Sequence, residues 1–191
     1  LNTNECVKKD NDYGEFQPIQ SGGIVKNFDN ENLLLTTGEF RYRDHAQDNS
    51  SIFGKILLIN KSSGDYKIIS KGHRNSQGLY YDQESRIIVA TEHGPLGGDE
   101  INIIKDLNII QNFGWPISSY GEHYPLNSSK EFYDKAPLYK SHADYGFIEP
   151  IKVFVPSIGI TQIVKNENIH DKNKYFFASM GYEDRENSLS I

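Results

Sequence analysis

Two short clusters of polar residues stand at the outer ends of two apolar runs that predict a β-hairpin. Residues 73–75 (HRN) precede the run 78–82, and residues 92–95 (EHGP) follow the run 86–91. Because only residues 83–85 separate the runs, a tight connection joins them and brings both clusters to the same end of the sheet. Charged, amide and imidazole groups beside glycine and proline on a rigid β scaffold suit a ligand site, although ordinary polar loops have the same composition.

The composition favours an all-β protein. Among 191 residues there are 12 Tyr and 10 Phe, 37% are hydrophobic, and 16 Gly occur with many Asn, Ser and Asp. Frequent turn formers and few segments of helical periodicity favour short strands around a core of aromatic and β-branched side chains. The length is enough for one sizeable core or for part of a larger repeat protein.

Charge and cysteine usage narrow the function classes. The formal net charge is −6 and the Lys and Arg residues are scattered, which argues against nucleic acid as a partner. The single cysteine, Cys6, excludes an intrachain disulfide framework. No apolar run reaches the length that spans a bilayer, and the first residue is Leu1 rather than Met, from which we expect a processed or truncated product.

Apolar runs between turn residues predict the strands. They are expected at 33–37, 55–60, 66–70, 78–82, 86–91, 101–104, 151–155, 160–164 and 175–178, with a further strand beginning at 188–191. Residues 1–20 are expected as an irregular N-terminal segment, 38–51 as a polar loop, 118–149 as a long loop, and 105–112 as a helical turn or an insertion. Groups of short strands recur about every 40 to 45 residues, which is the length of one propeller blade. We therefore expect one partial β-propeller domain over 1–191.

Five ordered segments carry a resemblance to a known family. They are AQDNSSIFGKILLIN (46–60), GHRNSQGLYYD (72–82), TEHGPLGGDEIN (91–102), NFGWPISSYGEHY (112–124) and FVPSIGI (154–160). Together they resemble the glucose/sorbosone dehydrogenase family, soluble aldose sugar dehydrogenases with a six-bladed β-propeller that use pyrroloquinoline quinone (PQQ) and calcium. The resemblance implies that this chain is an incomplete arc of about four blades.

The resemblance implies that Arg74 and Asn75 face the quinone, Arg74 as a catalytic and cofactor-binding residue and Asn75 as a cofactor-binding residue. A guanidinium presents fixed, planar donors to carboxylate or quinone oxygens and keeps its charge. Two alternatives stay open. Arg74 forms a salt bridge to a loop carboxylate, or Asn75 caps its own backbone in a turn.

The resemblance implies that a calcium ion associated with the cofactor binds at the EHGP loop (92–95). Gly94 and Pro95 match the loop whose backbone carbonyls approach this ion, so both are expected as metal and cofactor-binding residues. Oxygen ligands suit calcium, and glycine allows a close backbone approach. His93 is expected to line the cofactor pocket, or else to be a hydrogen-bonded structural residue. A plain turn is the alternative for the whole loop.

Glu100 and the backbone at Phe113 match a second calcium site of the family, which ties two blade loops together. Extra residues within 102–112, compared with the usual family spacing, argue against this site. Asp99 and Glu100 are then expected as solvated loop acids. Trp115 is expected to pack as a loop anchor.

The chain departs from the family at the general base. The family uses a His just before a Gly-rich strand entry, but the matching stretch 17–25 (QPIQSGGIV) places Ile19 or Gln20 there. Neither side chain accepts a proton near neutral pH. His45, oriented by a neighbouring aspartate, is the candidate substitute. In addition, Phe154 or Val155 replaces an aromatic residue of the family, which weakens stacking on a flat quinone.

The expected function is PQQ-dependent oxidation of an aldose by a divergent or truncated sugar dehydrogenase. Because the catalytic His is absent, the alternative is a non-catalytic propeller that binds a carbohydrate or protein ligand. A calcium-dependent hydrolase or lactonase is a third hypothesis. The expected partner is a small-molecule sugar, with no nucleic acid or membrane, and the open arc calls for a homo-oligomer or the remainder of the propeller. The resemblance implies a periplasmic or secreted location.

Overall fold

The computed structural model describes residues 18–125, 129–167 and 174–181, together with positions 1, 3, 10–11 and 14–15. Within these residues the strands form four separate sheets, two of them with five and four strands and two of them strand pairs. The first strand pair joins β1 (Asp10–Asn11) to β2 (Gly14–Glu15). The architecture agrees with the prediction of an all-β arc of about four blades.

The first large sheet is an antiparallel meander with one added edge strand. Its meander strands are β3 (Gly22–Asn27), β4 (Asn32–Thr37), β5 (Lys55–Asn60) and β6 (Tyr66–Lys71). The strand β10 (Gln111–Asn112) pairs with β6 in parallel. The continuous apolar run KILLIN of β5 is buried on both faces, as expected for a strand in the middle of a layered fold.

The second large sheet repeats the meander, and a third begins after it. The second consists of β7 (Ser76–Asp82), β8 (Ile87–Glu92), β9 (Asp99–Ile104) and β11 (Lys152–Phe154), all antiparallel. The third pairs β12 (Ile160–Lys165) with β13 (Tyr175–Ser179). Strand β7 packs between β3 and β12, so the first strands of successive sheets lie side by side.

The core lies between the sheets. Its largest cluster joins the first and second sheets through Leu34, Ile56, Ile69, Leu79, Ile88, Ala90, Ile104 and Phe113. A second cluster joins the second and third sheets through Val89, Ile101, Ile160 and Ile163. Fully burying each such Leu or Ile side chain contributes about 1.5 to 3 kcal/mol. This packing holds the ends of neighbouring sheets in fixed relation, and the loops at those ends form the site.

Helices occupy parts of two segments that were expected to be loops. Helix α1 (Arg43–Gln47) lies inside the predicted polar loop 38–51, where the fully buried Lys55 donates to the backbone oxygen of His45 at 2.6 Å. Helix α2 (Lys130–Lys135) and a 3-10 helix (Ala143–Tyr145) lie within 118–149. Neither α1 nor α2 has the length and apolar character to cross a bilayer.

The nine strands predicted between residues 33 and 178 are confirmed to within two residues at each end. Strand β3 was not predicted, because its alternation of half-buried and exposed residues contains few apolar side chains. Residues 105–112 form no helical turn; they are a loop that ends in β10. The strand predicted at 188–191 lies outside the described residues.

Candidate functional site

The β7–β8 hairpin brings the two polar clusters together, as predicted. Ser76 and Glu92 are cross-strand partners at its open end. Glu92 is buried, and its Oε1 accepts hydrogen bonds from the backbone N–H of Arg74 at 2.8 Å and from that of Asn75. Its Oε2 accepts from Ser76 Oγ at 2.5 Å and lies 3.0 Å from His73 Nδ1. One carboxylate therefore organises the whole entry to β7.

The charge of Glu92 is stabilised inside the protein. Burial alone would raise its pKa, but His73, Ser76 and the Asn75 amide outweigh burial and hold the pKa below its ordinary value. His73 Nε2 in turn lies 2.8 Å from Ser70 Oγ. Ser70, His73 and Glu92 have the order of a nucleophilic triad, but Ser70 has no exposed surface, so the arrangement is structural.

Arg74 is buried and has its guanidinium fixed by neighbouring loops. Its side chain is 6% exposed. Its Nη1 donates to the carbonyl of His93 at 3.0 Å and to that of Gly94 at 2.7 Å. The guanidinium carbon lies 5.4 Å from the ring centre of Trp115, a cation–π distance. Among the described acidic side chains, none forms an ion pair with Arg74.

Gln20, two residues before β3, contacts Arg74. With its amide oxygen turned toward Arg74, Gln20 accepts from Nη2 at 2.6 Å and donates its amide N–H to Glu39 Oε1. Glu39 is fully buried. The backbone of Gln20 is left-handed, with φ 58°. Gln20 is one of the two positions at which the resemblance expects the general base, and its amide contacts Arg74; the other position, Ile19, is 40% exposed.

The loop after β8 is built from close backbone contacts. The Gly94 amide donates to Asp99 Oδ1 at 3.1 Å. A Cβ on Gly94 would lie 2.7 Å from the carbonyl oxygen of Gly97 and would collide with that of Gly98, so only glycine fits. Pro95 O accepts from Ser157 Oγ at 3.4 Å. The carbonyls predicted for calcium thus face donors of the protein, and for Gly94 that donor is a cation.

A small cavity lies where these loops meet. Its lining comprises Gly72, Arg74, Glu92, His93, Gly94, Glu100, Phe113, Trp115, Ser118, Ser119 and His142. The volume open to the centre of a water molecule is about 10 Å³, which is room for one water or one ion. Five predicted site residues are therefore brought together. The other two, Asn75 and Pro95, stand just outside, and Asn75 Oδ1 accepts from the Gly22 amide at 3.1 Å.

Glu100 and His142 face each other in this cavity. His142 Nε2 lies 3.3 Å from Glu100 Oε1, within ion-pair distance but without the alignment of a hydrogen bond, and neither ring nitrogen has a hydrogen-bond partner among the described residues. Burial raises the pKa of Glu100, and His142 only partly offsets this effect. Asn102 donates to Glu100 Oε2 at 3.3 Å, while its own Oδ1 is buried without a partner among the described residues.

The alternative that Asp99 and Glu100 are solvated loop acids is wrong. Asp99 is 1% exposed and Glu100 5% exposed. Asp99 Oδ2 accepts from the consecutive amides of Ile158, Gly159 and Ile160 at 3.1, 2.8 and 3.1 Å. Because these amides precede and begin β12, the acid of β9 secures the loop that enters the next sheet. Both acids occupy the buried end of a strand rather than a free loop.

Two other predicted residues lie elsewhere. His45 packs edge-on between the rings of Tyr42 and Phe53 and does not line the cavity. Trp115 is 5% exposed and packs against Ala46, which confirms its role as a loop anchor, but it is also a wall of the cavity.

A model of the glucose/sorbosone dehydrogenase family matches residues 8–184. The chain belongs to this family. The match includes every residue proposed for the site from the sequence. Among curated relatives, an uncharacterised protein of Synechocystis sp. is 34% identical over 134 residues, and the aldose sugar dehydrogenase YliI of Escherichia coli is 34% identical over 105 residues.

Solved structures of the same kind share the fold. The apo form of the soluble aldose sugar dehydrogenase of Escherichia coli is 26% identical with a TM-score of 0.66, and the match covers 83% of this chain. The PQQ-bound aldose sugar dehydrogenase of Streptomyces coelicolor is 24% identical with a TM-score of 0.59, over 85% of this chain. These two matches cover 48% and 42% of the solved chains. The matches to the curated relatives cover 63% and 48% of this chain but only 30% and 28% of the relatives' lengths.

Sequence reasoning missed several members of the site in this member of the glucose/sorbosone dehydrogenase family. Glu92 and His73 were recognised only as members of polar clusters, and their partnership becomes visible once the hairpin register pairs Ser76 with Glu92. His142 comes from the stretch 118–149, which has little apolar pattern. Its only signal was a histidine followed by an acid seven residues later, Glu149, whose Oε1 accepts from the His142 amide at 2.8 Å.

Proposed function

We propose that this chain provides the cofactor face of a dehydrogenase that oxidises an aldose sugar with PQQ and calcium. The observation that supports the proposal is the burial of the Arg74 side chain and the set of groups that hold it. Its guanidinium is buried beside a cavity, held by carbonyl oxygens and without an ion pair among the described acids. A buried charge without a counter-ion favours an anionic ligand, and PQQ is a polycarboxylate with quinone oxygens.

The proposed roles follow from where the residues stand. Arg74 binds and orients the cofactor's anionic oxygens, and Asn75 presents the remaining amide donors of its side chain beside it. His93 lines the cavity beside Arg74. The carbonyls of Gly94 and Pro95 are the proposed oxygen ligands of the cofactor-associated calcium, and binding there requires Arg74 and Ser157, which donate to them in this structure, to release them. When bound, PQQ supplies the acceptor for hydride from the sugar C1. Arg74 keeps its positive charge throughout, because a guanidinium does not deprotonate in proteins.

The oxygen atoms around Glu100 fit the second calcium. Glu100 contributes a buried carboxylate to the cavity, which Phe113 also lines. Asn102, which donates to Glu100, adds a buried amide oxygen without a hydrogen-bond partner among the described residues. Calcium prefers such oxygen ligands. Among the described residues no cluster of three or more His, Cys, Asp and Glu side chains is arranged for a metal. Backbone and amide oxygens must therefore complete the coordination.

The proposal is tested by calorimetric titration of PQQ into the calcium-loaded protein. Arg74→Ala should weaken binding about 10- to 100-fold, because a charge-assisted hydrogen bond is worth about 1.5 to 3 kcal/mol. Arg43→Ala is the matched control, since Arg43 is also 6% exposed and lies 5.7 Å from the Trp115 ring centre but does not line the cavity. The absence of saturable PQQ binding to the wild-type protein would refute the proposal.

Gln20 specifically favours a second candidate function, a non-catalytic propeller that binds a carbohydrate or protein ligand. The amide bridges Glu39 and Arg74 at one of the two positions, Ile19 or Gln20, at which the resemblance expects the general base. An amide does not accept a proton near neutral pH. This alternative predicts saturable sugar binding without cofactor and no sugar-dependent dye reduction when PQQ and calcium are present. Turnover above the rate without protein would exclude it.

The remaining expectations on partners and location are also proposals. A sugar is the proposed small-molecule partner, and the proposed location is the periplasm or the cell exterior. Fractionation of cells that express the natural gene checks the location.

Apolar side chains are exposed on one strand of the first sheet and on one strand of the third. Val25 of β3 is 54% exposed and Phe176 of β13 is 58% exposed. Coverage of these edges by the rest of a propeller or by a second copy is the proposed reason. Light scattering of the purified chain distinguishes a dimer from a monomer.

A further inference from the structure

Glu92 has an unusual set of partners for a residue that no predicted role includes. Its Oε1 accepts two consecutive backbone amides, those of Arg74 and Asn75. Both are residues to which the proposed function assigns cofactor contacts. The carboxylate is buried at the end of β8, whereas the amides belong to the entry of β7. It therefore fixes the backbone from which both cofactor-facing side chains project.

The second oxygen of Glu92 is fixed as firmly as the first. Ser76 Oγ donates to Oε2 at 2.5 Å, and His73 Nδ1 lies 3.0 Å from it. His73 is itself fixed, because its Nε2 lies 2.8 Å from Ser70 Oγ and its ring stacks on Phe113 at a centroid distance of 5.1 Å. A carboxylate held at both oxygens is a rigid reference point for the amides it accepts.

Arg74 is thus held from two sides by β8 and the loop that follows it. Its backbone amide is bound by the Glu92 side chain, while its guanidinium is bound by the carbonyls of His93 and Gly94. The three acceptors are consecutive in the chain. A shift of Glu92 therefore moves the base of the Arg74 side chain relative to the carbonyls at its tip.

We propose that Glu92, supported by His73, is a positioning residue that sets the geometry of Arg74 and Asn75 for an anionic cofactor. The proposal rests on the proposed function for the identity of the ligand. It predicts that disturbing Glu92 weakens cofactor binding out of proportion to its effect on folding. An ordinary buried carboxylate would lower stability and leave the affinity of the folded protein unchanged.

The chain contains a matched control at the opposite end of the same hairpin. Asp82 ends β7 as Glu92 ends β8, and the two side chains are both buried and hydrogen-bonded. Asp82 bonds to Lys165 and Tyr175 rather than to the site. Glu92→Gln and Asp82→Asn therefore remove the same kind of charge from the same two strands, and only the first touches the backbone of Arg74.

The test measures PQQ affinity by calorimetry, in calcium-containing buffer and at a temperature at which all proteins are folded. Both variants should lower the melting temperature, while only Glu92→Gln should raise the Kd for PQQ, by at least tenfold. An unchanged Kd in Glu92→Gln, or an equal rise in Asp82→Asn, would overturn the proposal. Should Glu92→Gln fail to fold, Glu92→Asp keeps the charge but withdraws the carboxylate by about 1.5 Å, and the same outcome is expected.

A second readout separates this proposal from the proposed function. Trp115 is the single tryptophan of the chain, and the Arg74 guanidinium lies 5.4 Å from its ring centre, so its fluorescence reports the position of Arg74 without any ligand. Glu92→Gln should shift the emission and speed hydrogen exchange at the amides of Arg74 and Asn75, whereas Asp82→Asn should do neither. If wild type does not bind PQQ but these shifts occur, the proposed function fails and the positioning role stands. Unchanged emission and exchange in Glu92→Gln would refute positioning even where PQQ binds.

Discussion

The carboxylate of Asp82 lies 2.7 Å from the side-chain nitrogen of Lys165, and this pair joins the second sheet to the third. The Tyr175 hydroxyl donates to the same Oδ2 at 2.8 Å. Burial alone would raise the pKa of Asp82, but the donors of Lys165, Tyr175 and Ser85 outweigh it and hold the pKa well below its ordinary value. Because β7, β12 and β13 meet at this acid, its charge contributes to the packing of one sheet on the next.

Replacing Asp82 with Asn should destabilise the protein in a pH-dependent way. Removing one partner of a largely buried pair costs about 3 kcal/mol of unfolding free energy near neutral pH. The pKa of Asp82 is lower in the folded state, so its contribution is complete above the unfolded value of about 4 and declines as pH falls. Below pH 4 the gap between wild type and variant should therefore narrow by about 1.4 kcal/mol per pH unit.

Urea unfolding of both proteins at pH 7, 4 and 3 measures this gap. Lys165→Met is the companion variant, because it removes the other charge of the pair and leaves the Tyr175 hydroxyl on Asp82. A gap between wild type and Asp82→Asn that stays constant from pH 7 to pH 3 would show that the carboxylate charge does not contribute.

Calcium should stabilise the wild-type protein through Glu100. When the calcium concentration is 100 times the dissociation constant, binding to the folded state alone adds about 2.7 kcal/mol. Glu100→Gln removes the anionic ligand and keeps the volume, so its melting temperature should no longer respond to calcium. Thermal melts with calcium and with EDTA measure the effect, and melts with magnesium test whether it is specific to the larger ion.

Glu122→Gln is the control for Glu100, because Glu122 is a surface acid paired with Lys140 at 3.0 Å. It should retain the full calcium response. A calcium response of equal size in Glu100→Gln and wild type would place the ion elsewhere.

Gly94→Ala should disturb the site through a steric collision. A Cβ at this position meets the carbonyl oxygens of Gly97 and Gly98, so the loop must move and Arg74 loses the Gly94 carbonyl. Gly97→Ala is the matched variant, because its Cβ meets Val155 at an ordinary 3.6 Å and its cost comes only from the positive φ of 81°. That strain is worth about 1 kcal/mol.

The two glycine variants are compared by melting temperature and by Trp115 emission. Both should melt earlier, but only Gly94→Ala should change the emission, because Arg74 lies over the Trp115 ring. Equal emission spectra for the two variants would mean that the Gly94 carbonyl does not hold the guanidinium.

The strands and hairpins of this fold could be predicted, because they depend on the pattern of apolar and turn residues within short segments. Strands such as β5 and the β7–β8 hairpin were predicted because apolar runs and short turns are properties of neighbouring residues. The same register predicted that residues 73–75 and 92–95 would meet. Local pattern therefore determined both the sheets and the first layer of the site.

The unpredicted part depends on contacts between distant residues. Helix α1 has five residues and no apolar period, and the buried Lys55 supports it from the next strand. Asp99 resembles a loop acid in sequence until the amides of residues 158–160 are placed against it. His142 reaches Glu100 across 41 intervening positions, most of which carry little pattern. When a distant segment buries a polar residue, the residues next to it in the sequence show no pattern that predicts the burial.

Gln20→His should place a candidate general base beside Arg74. A histidine at position 20 would stand between Glu39, which can orient an imidazole, and Arg74, which faces the proposed cofactor. The left-handed backbone at φ 58° tolerates the change, because histidine is enriched among the non-glycine residues with positive φ. With PQQ, calcium and an aldose, the variant should reduce dye about 10²-fold faster than wild type, the lower limit for a positioned base.

Gln20→Ala separates a new base from the loss of the amide. It also frees Arg74 Nη2 but adds no proton acceptor, so its turnover should remain at the wild-type level. The rate of Gln20→His should rise with pH through the range in which imidazole loses its proton, near 6.5, whereas Gln20→Ala should show no such step. If both variants accelerate dye reduction equally, the amide acts by restraining Arg74, and the base must be sought elsewhere in the site.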